Sequence, residues 1–181
     1  MKKLLLGLFG GCVLALGAAL PANAQKLADG AHDFDFDLGV WKTHIVRHLH
    51  PFSGVNDMIE LNGTVTVRKV WDGRAQLEEI EADGPKGHWE GMTVFLYAPQ
   101  ARQWSMNFAS SAVGKFSTPM IGSFANGRGE LIGTDTLDGR AILVRGVWSD
   151  VAPTSHQYQE SYSADGGRTW EVEFTATKTK A

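Results

Sequence analysis

The chain has 181 residues, a formal net charge of −3 and a single cysteine. That length suits one domain with a substantial core rather than two. No basic run of the kind that tracks a phosphate backbone is present, which argues against nucleic-acid binding.

Lys2 and Lys3 make a positive start, Leu4 to Leu20 is apolar, and Ala22-Asn23-Ala24 supplies a small-x-small cleavage pattern. Residues 1–24 therefore read as an export signal cleaved before Gln25, which places the mature protein in the periplasm or outside the cell. The apolar run is short for a stable membrane span and is followed by the helix-breaking Pro21. Phe9-Gly10-Gly11 is a poor lead-in for a lipid-modified Cys12. Cys12 leaves with the signal, so the mature chain has no disulfide, no thiol nucleophile and no cysteine for a metal centre. Loss of Lys2 and Lys3 takes the formal charge from −3 to −5.

Residues 25–37 form an N-terminal leader, and residues 38–178 read as a single β-barrel domain. The first strand, Val40 to His50, puts Trp41, Ile45 and Leu49 on one face. A long second strand runs from Asp57 to Trp71, and Asp72-Gly73 makes a tight hairpin, because those residues tolerate positive φ. Further strands follow at Arg74 to Ala82, Trp89 to Tyr97 and Arg102 to Ala109. Ser110 to Pro119 is irregular. Asn126-Gly127 and Asp138-Gly139 are hairpin signals around Glu130 to Thr136. Arg140 to Trp148, His156 to Ser163 and Thr169 to Thr177 complete the series. About ten short strands joined by short turns predict an all-β, roughly ten-stranded antiparallel up-and-down barrel. Trp41, Trp89, Phe95, Trp104, Phe108, Trp148 and Trp170 are spread over many strands. Packed inward, they close one end of such a barrel and wall a cavity at the other, the alternative being a filled core.

The Gly39-Val40-Trp41 start of the first strand resembles the opening of lipocalin-like (calycin) barrels. Gly73-Arg74-Ala75-Gln76-Leu77-Glu78-Glu79, the Tyr97 to Trp104 hairpin and the run from Glu160 to Trp170 resemble a family of secreted bacterial barrels of unassigned function. The resemblance spans the mature chain. It implies a ten-stranded barrel with a site for a hydrophobic ligand, and no catalytic mechanism. Nitrobindin-like haem barrels are a more distant likeness, and no cofactor is carried over from them. Ser163-Ala164-Asp165-Gly166-Gly167-Arg168-Thr169-Trp170 also fits the Asp-box hairpin of sialidase propellers. A single copy cannot build a propeller, so the motif is structural here.

His44, His48 and His50 share the parity opposite to Trp41, so they face out if Trp41 faces in. Clustering without a carboxylate or cysteine partner does not define a metal site. Arg47 has the parity of Trp41 and needs a partner if buried, Glu79 and Glu160 being the candidates. His156, Tyr158, Glu160 and Tyr162 form a polar aromatic face on one strand. Trp41, Arg47, Glu79, Tyr97, Trp104, Arg145, His156, Tyr158 and Glu160 are therefore the candidate ligand-binding residues.

The chain lacks a Gly-x-Ser-x-Gly elbow, a phosphate loop and a His-Glu-x-x-His helix. The reading that follows is a periplasmic or secreted barrel that binds a small, largely apolar molecule. The alternatives are an enzyme using the same cavity for acid–base chemistry (an isomerase, cyclase or hydrolase) and a haem carrier with a histidine ligand.

Overall fold

A computed structural model of the chain describes residues 30–181. The export signal expected at residues 1–24 lies outside the described residues. Ten strands, β1 (Gly39–His48), β2 (Met58–Val70), β3 (Ala75–Gly84), β4 (Gly87–Ala98), β5 (Gln103–Ser110), β6 (Met120–Ala125), β7 (Arg128–Leu137), β8 (Arg140–Ala152), β9 (Ser155–Ser163) and β10 (Glu171–Lys180), follow one another along the chain. Each pairs antiparallel with its sequence neighbours, and β1 pairs with β10 from Trp41↔Lys180 to Arg47↔Phe174, closing an up-and-down barrel. Closure pairs every strand on both sides, the shortest seam being the three rungs between β5 and β6.

The expected hairpins fall at the turns. Between β2 and β3 the chain holds Trp71, Asp72 and Gly73 at φ of 52°, 55° and 91° in succession. Asn126 and Asp138 also take positive φ, each followed by a positive-φ glycine. The Asp-box hairpin forms as a local device. Ser163 Oγ donates to Asp165 Oδ1, whose partners are the amides of Arg168 and Thr169, while the Thr169 hydroxyl donates to Oδ2. These bonds, led by those from Thr169, hold the Asp165 carboxyl well below the usual carboxylate range.

The two ends of the barrel differ because the segment before β1 plugs one of them. Phe34 is completely buried, with its ring 4.8 Å from Phe95, 5.2 Å from Trp104, 4.8 Å from Phe124 and 4.9 Å from Trp148. Burying such a side chain contributes about 2–3 kcal/mol. Two indoles tie the plug down: Trp41 Nε1 donates to the carbonyl of Asp37 at 2.6 Å, and Trp104 Nε1 to that of Gly30 at 2.9 Å. Residues expected to form a leader ahead of the barrel are thus, from Gly30 onward, its floor. Of the seven rings expected to face inward, Trp170 does not. It lies on the outer wall, where the Arg145 guanidinium stacks 4.2 Å from its ring centre.

Candidate functional site

Above the aromatic floor the barrel holds a cavity of about 480 Å³ that opens at the end opposite the plug. That volume falls in the range of small-molecule sites, roughly 300–1,000 Å³. Trp89, Phe108, Trp148, Tyr158, Tyr162 and Phe174 form much of its wall. Its rim includes Val113 and Phe116 of the 111–119 segment, both at least half exposed. This segment follows from incomplete pairing. β5 and β6 share only the rungs from Trp104↔Gly122 to Met106↔Met120, and beyond them Ser117 bonds back to Phe108 through both its amide and its hydroxyl.

Two polar groups stand inside. The upper one is built on β1, β9 and β10, where Arg47 pairs with Phe174 and Phe174 with Glu160 across the strands. A bulge between Val172 and Phe174 leaves Glu173 without a partner on β9 and turns its carboxylate into the cavity. There Arg47 Nε donates to Glu173 Oε1 at 2.7 Å. Burial raises the Glu173 carboxyl above its ordinary value and outweighs the opposing pull of Arg47. Tyr158 donates its hydroxyl to Glu160 Oε2 at 2.9 Å, and Tyr162 donates to the same carboxylate. Burial, followed by the charge of Glu173, pushes the Glu160 carboxyl up to about 7 despite the two tyrosines and Arg47. Gly146 stands opposite Glu160 on β8, and a Cβ there would come within 3.0 Å of the Tyr158 ring, so the glycine makes room for that ring.

The lower group ties the cavity to the plug. Lys178 Nζ donates to both carboxylate oxygens of Asp37, at 3.0 and 3.1 Å, and to Glu78, which also accepts from Thr93 Oγ1 at 2.9 Å. His156 Nε2 lies 2.8 Å from Asp37 Oδ1, with its ring edge-on to Trp41. Burial pushes Asp37 up, but Lys178 and His156 more than reverse it, so its carboxyl lies below the ordinary value. For Lys178, burial is likewise outweighed by Asp37 and Glu78, and its ammonium titrates above the ordinary range.

Three of the residues expected from the sequence, Arg47, Tyr158 and Glu160, line the cavity together. Trp41, Tyr97, Trp104 and His156 lie inside the barrel but outside the cavity lining, packed into the floor around the plug. Glu79 and Arg145 face away. Glu79 is exposed, 3.7 Å from Arg68, because on β3 the inward set is Gln76, Glu78, Ile80 and Ala82. Leu77, which shares the parity of Glu79, is on the outer face with it. Arg145 alternates with Val144 and Gly146 and ends under Trp170. The outward parity expected for His44 holds: it is exposed, with Nδ1 3.0 Å from Asn62 Oδ1. Among the described residues no three His, Cys, Asp or Glu side chains gather as metal ligands. Among the described residues no histidine lines the cavity, and the inward-facing His156 is engaged with Asp37.

Glu78, Thr93, Glu173, Phe174 and Lys178 also line the cavity but were not among the expected site residues. Strict alternation could have found Lys178 and, counted from Ile80, Glu78. It could not have found Glu173, which enters only because the alternation breaks.

No family model matches the chain, and no curated protein sequence matches it. Solved structures do share its fold. An S-type phycobiliprotein lyase from Guillardia theta superposes with a TM-score of 0.54 at 12% identity, over 82% of this chain and 90% of the lyase. A redesigned β-barrel, mFAP1, bound to DFHBI gives a TM-score of 0.44 at 12% identity, over 84% of this chain and all of that one. A de novo designed fluorescence-activating β-barrel gives 0.44 at 14% identity, over 86% of this chain. The strand pairing, with which the fold of the lyase agrees, defines a closed ten-stranded antiparallel barrel.

Proposed function

We propose that this protein binds one small, largely apolar molecule inside its barrel, and that it does so in the periplasm or outside the cell. The observation that carries the reading is the open cavity of about 480 Å³, walled by aromatic rings and holding a carboxyl between two tyrosines. Apolar walls supply the affinity and the few polar groups set orientation. The export part of the reading rests on residues 1–24 of the sequence.

Titration with the uncharged dye N-phenyl-1-naphthylamine tests it. The wild type is expected to enhance the dye's emission with one-to-one stoichiometry. Ala176→Phe in the cavity wall and Ala109→Trp nearer the mouth are expected to abolish the enhancement while keeping the far-ultraviolet circular dichroism of a β-barrel. No binding by the wild type, or equal binding by folded filled variants, contradicts the reading.

A second reading, proton transfer by Glu160, is favoured by one observation. A carboxyl raised to about 7 beside an apolar wall is equally able to give and take a proton near neutrality. If the protein is such a catalyst, Glu160→Gln binds the natural compound and leaves it unconverted.

A further inference from the structure

Glu160 is an acid inside an aromatic cavity without a cation of its own. Three cationic side chains line the cavity, and each is accounted for. Arg47 Nε is committed to Glu173, Lys178 sits between Asp37 and Glu78, and Lys115 belongs to the exposed rim. Among the described residues none stands within ion-pair distance of Glu160, which is held only by the hydroxyls of Tyr158 and Tyr162. The acidic lining groups are Glu78, Asp135, Glu160 and Glu173, so with every group ionised the lining carries one negative charge more than positive. Around the carboxyl stand Tyr158, Tyr162 and Phe174, rings whose faces attract cations.

We propose that the ligand is an apolar amine whose ammonium group lies between the Glu160 carboxylate and these rings. This rests on the reading of the barrel as a binder and names the chemical class it takes. A bound ammonium supplies the missing counter-ion, replacing an unpaired buried acid with a charge-assisted hydrogen bond. A ligand carboxylate in the same place would meet the like charges of both Glu160 and Glu173, with a single cation, Arg47, bound to Glu173 through Nε, to set against them. Binding therefore ionises Glu160. The groups facing it are Arg47 from β1 and Glu173 from β10, with Tyr158 and Tyr162 on its own strand and the uncharged Gly146 on β8. Burial and Glu173 hold part of the Glu160 population protonated near pH 7 in the free protein, so the proton leaves to solvent as the ammonium enters.

The experiment is calorimetric titration of the full mature chain with two probes of nearly equal shape, 2-(1-naphthyl)ethylamine and 2-(1-naphthyl)ethanol, at pH 7 in buffers of different ionisation enthalpy. The amine is expected to bind roughly tenfold tighter than the alcohol, the scale of one charge-assisted hydrogen bond. Protons should be released with the amine alone. Glu160→Gln should erase both the preference and the release while leaving alcohol binding in place, which also shows that the variant is folded. Glu79→Gln, on the outer wall, should change neither. Equal affinity for the two probes, or an amine preference that survives in Glu160→Gln, overturns the amine assignment and leaves the binding reading standing. Failure of both probes to bind the wild type overturns the binding reading itself.

Discussion

Arg47 and Glu173 meet at 2.7 Å inside the barrel although 126 positions separate them, and a bulge makes the meeting possible. Without the extra residue on β10, strict alternation would turn either Glu173 or Phe174 away from the cavity. The bulge admits both, so an apolar wall and an ion pair share one short stretch of backbone.

The pair also constrains stability. Glu173 is 5% exposed and Arg47 47%, so removing the arginine leaves a nearly buried carboxylate without its partner. Arg47→Met should cost ~1–3 kcal/mol, reduced from the figure for a fully buried pair because solvent reaches the guanidinium. Arg47→Met combined with Glu173→Gln should recover much of the loss. Urea unfolding of the four proteins in a double-mutant cycle measures it, and strictly additive effects would show that the two side chains do not interact.

Lys178 is the more critical cation. Its ammonium joins Asp37 of the plug to Glu78 of the wall, and the three side chains are almost wholly buried. Lys178→Met strands two carboxylates and should cost at least ~3–5 kcal/mol, the loss for breaking one buried pair. Because Asp37 anchors the segment carrying Phe34, amide exchange in residues 30–38 should accelerate before exchange in the strands. Uniform acceleration across the barrel would contradict the link between plug and wall.

The pH dependence of stability follows from Glu160. Its folded-state value of about 7 lies above the ordinary 4.5, so between those values the folded protein binds the extra proton. Stability contributed by the protonated carboxyl is present below pH 4.5 and is lost as the pH rises toward 7. The drop amounts to about 3 kcal/mol at most, less what water in the cavity recovers. Glu160→Gln should match the wild type at pH 4.5 and exceed it at pH 8, with thermal unfolding across that range as the measurement. A wild-type profile that rises over this range, or an unchanged profile in the variant, would contradict the placement of Glu160.

The strand series was legible because Asp-Gly and Asn-Gly turns punctuate it and because Trp41, Trp104 and Trp148 mark inward parity on their own strands. β6 lacked a boundary in the sequence because its six residues follow the irregular 111–119 segment, whose polar and glycine content hides where pairing resumes. On β3, Leu77 and Ile80 have opposite parity, so alternation alone does not decide which of Glu78 and Glu79 faces inward. Phe34 was missed for a different reason. A buried ring ahead of the first strand has no period to betray it, so the segment reads as a leader. Within the site, Arg47, Tyr158 and Glu160 could be read from alternation, whereas Glu173 required the bulge.

The central claim is that the cavity is a binding site, and native mass spectrometry of the protein purified from its own host tests it most directly. The account predicts a second population heavier by the mass of one small organic molecule, which dissociates on collisional activation and is missing from Ala176→Phe. A single bare mass after gentle purification, identical in wild type and variant, would contradict it.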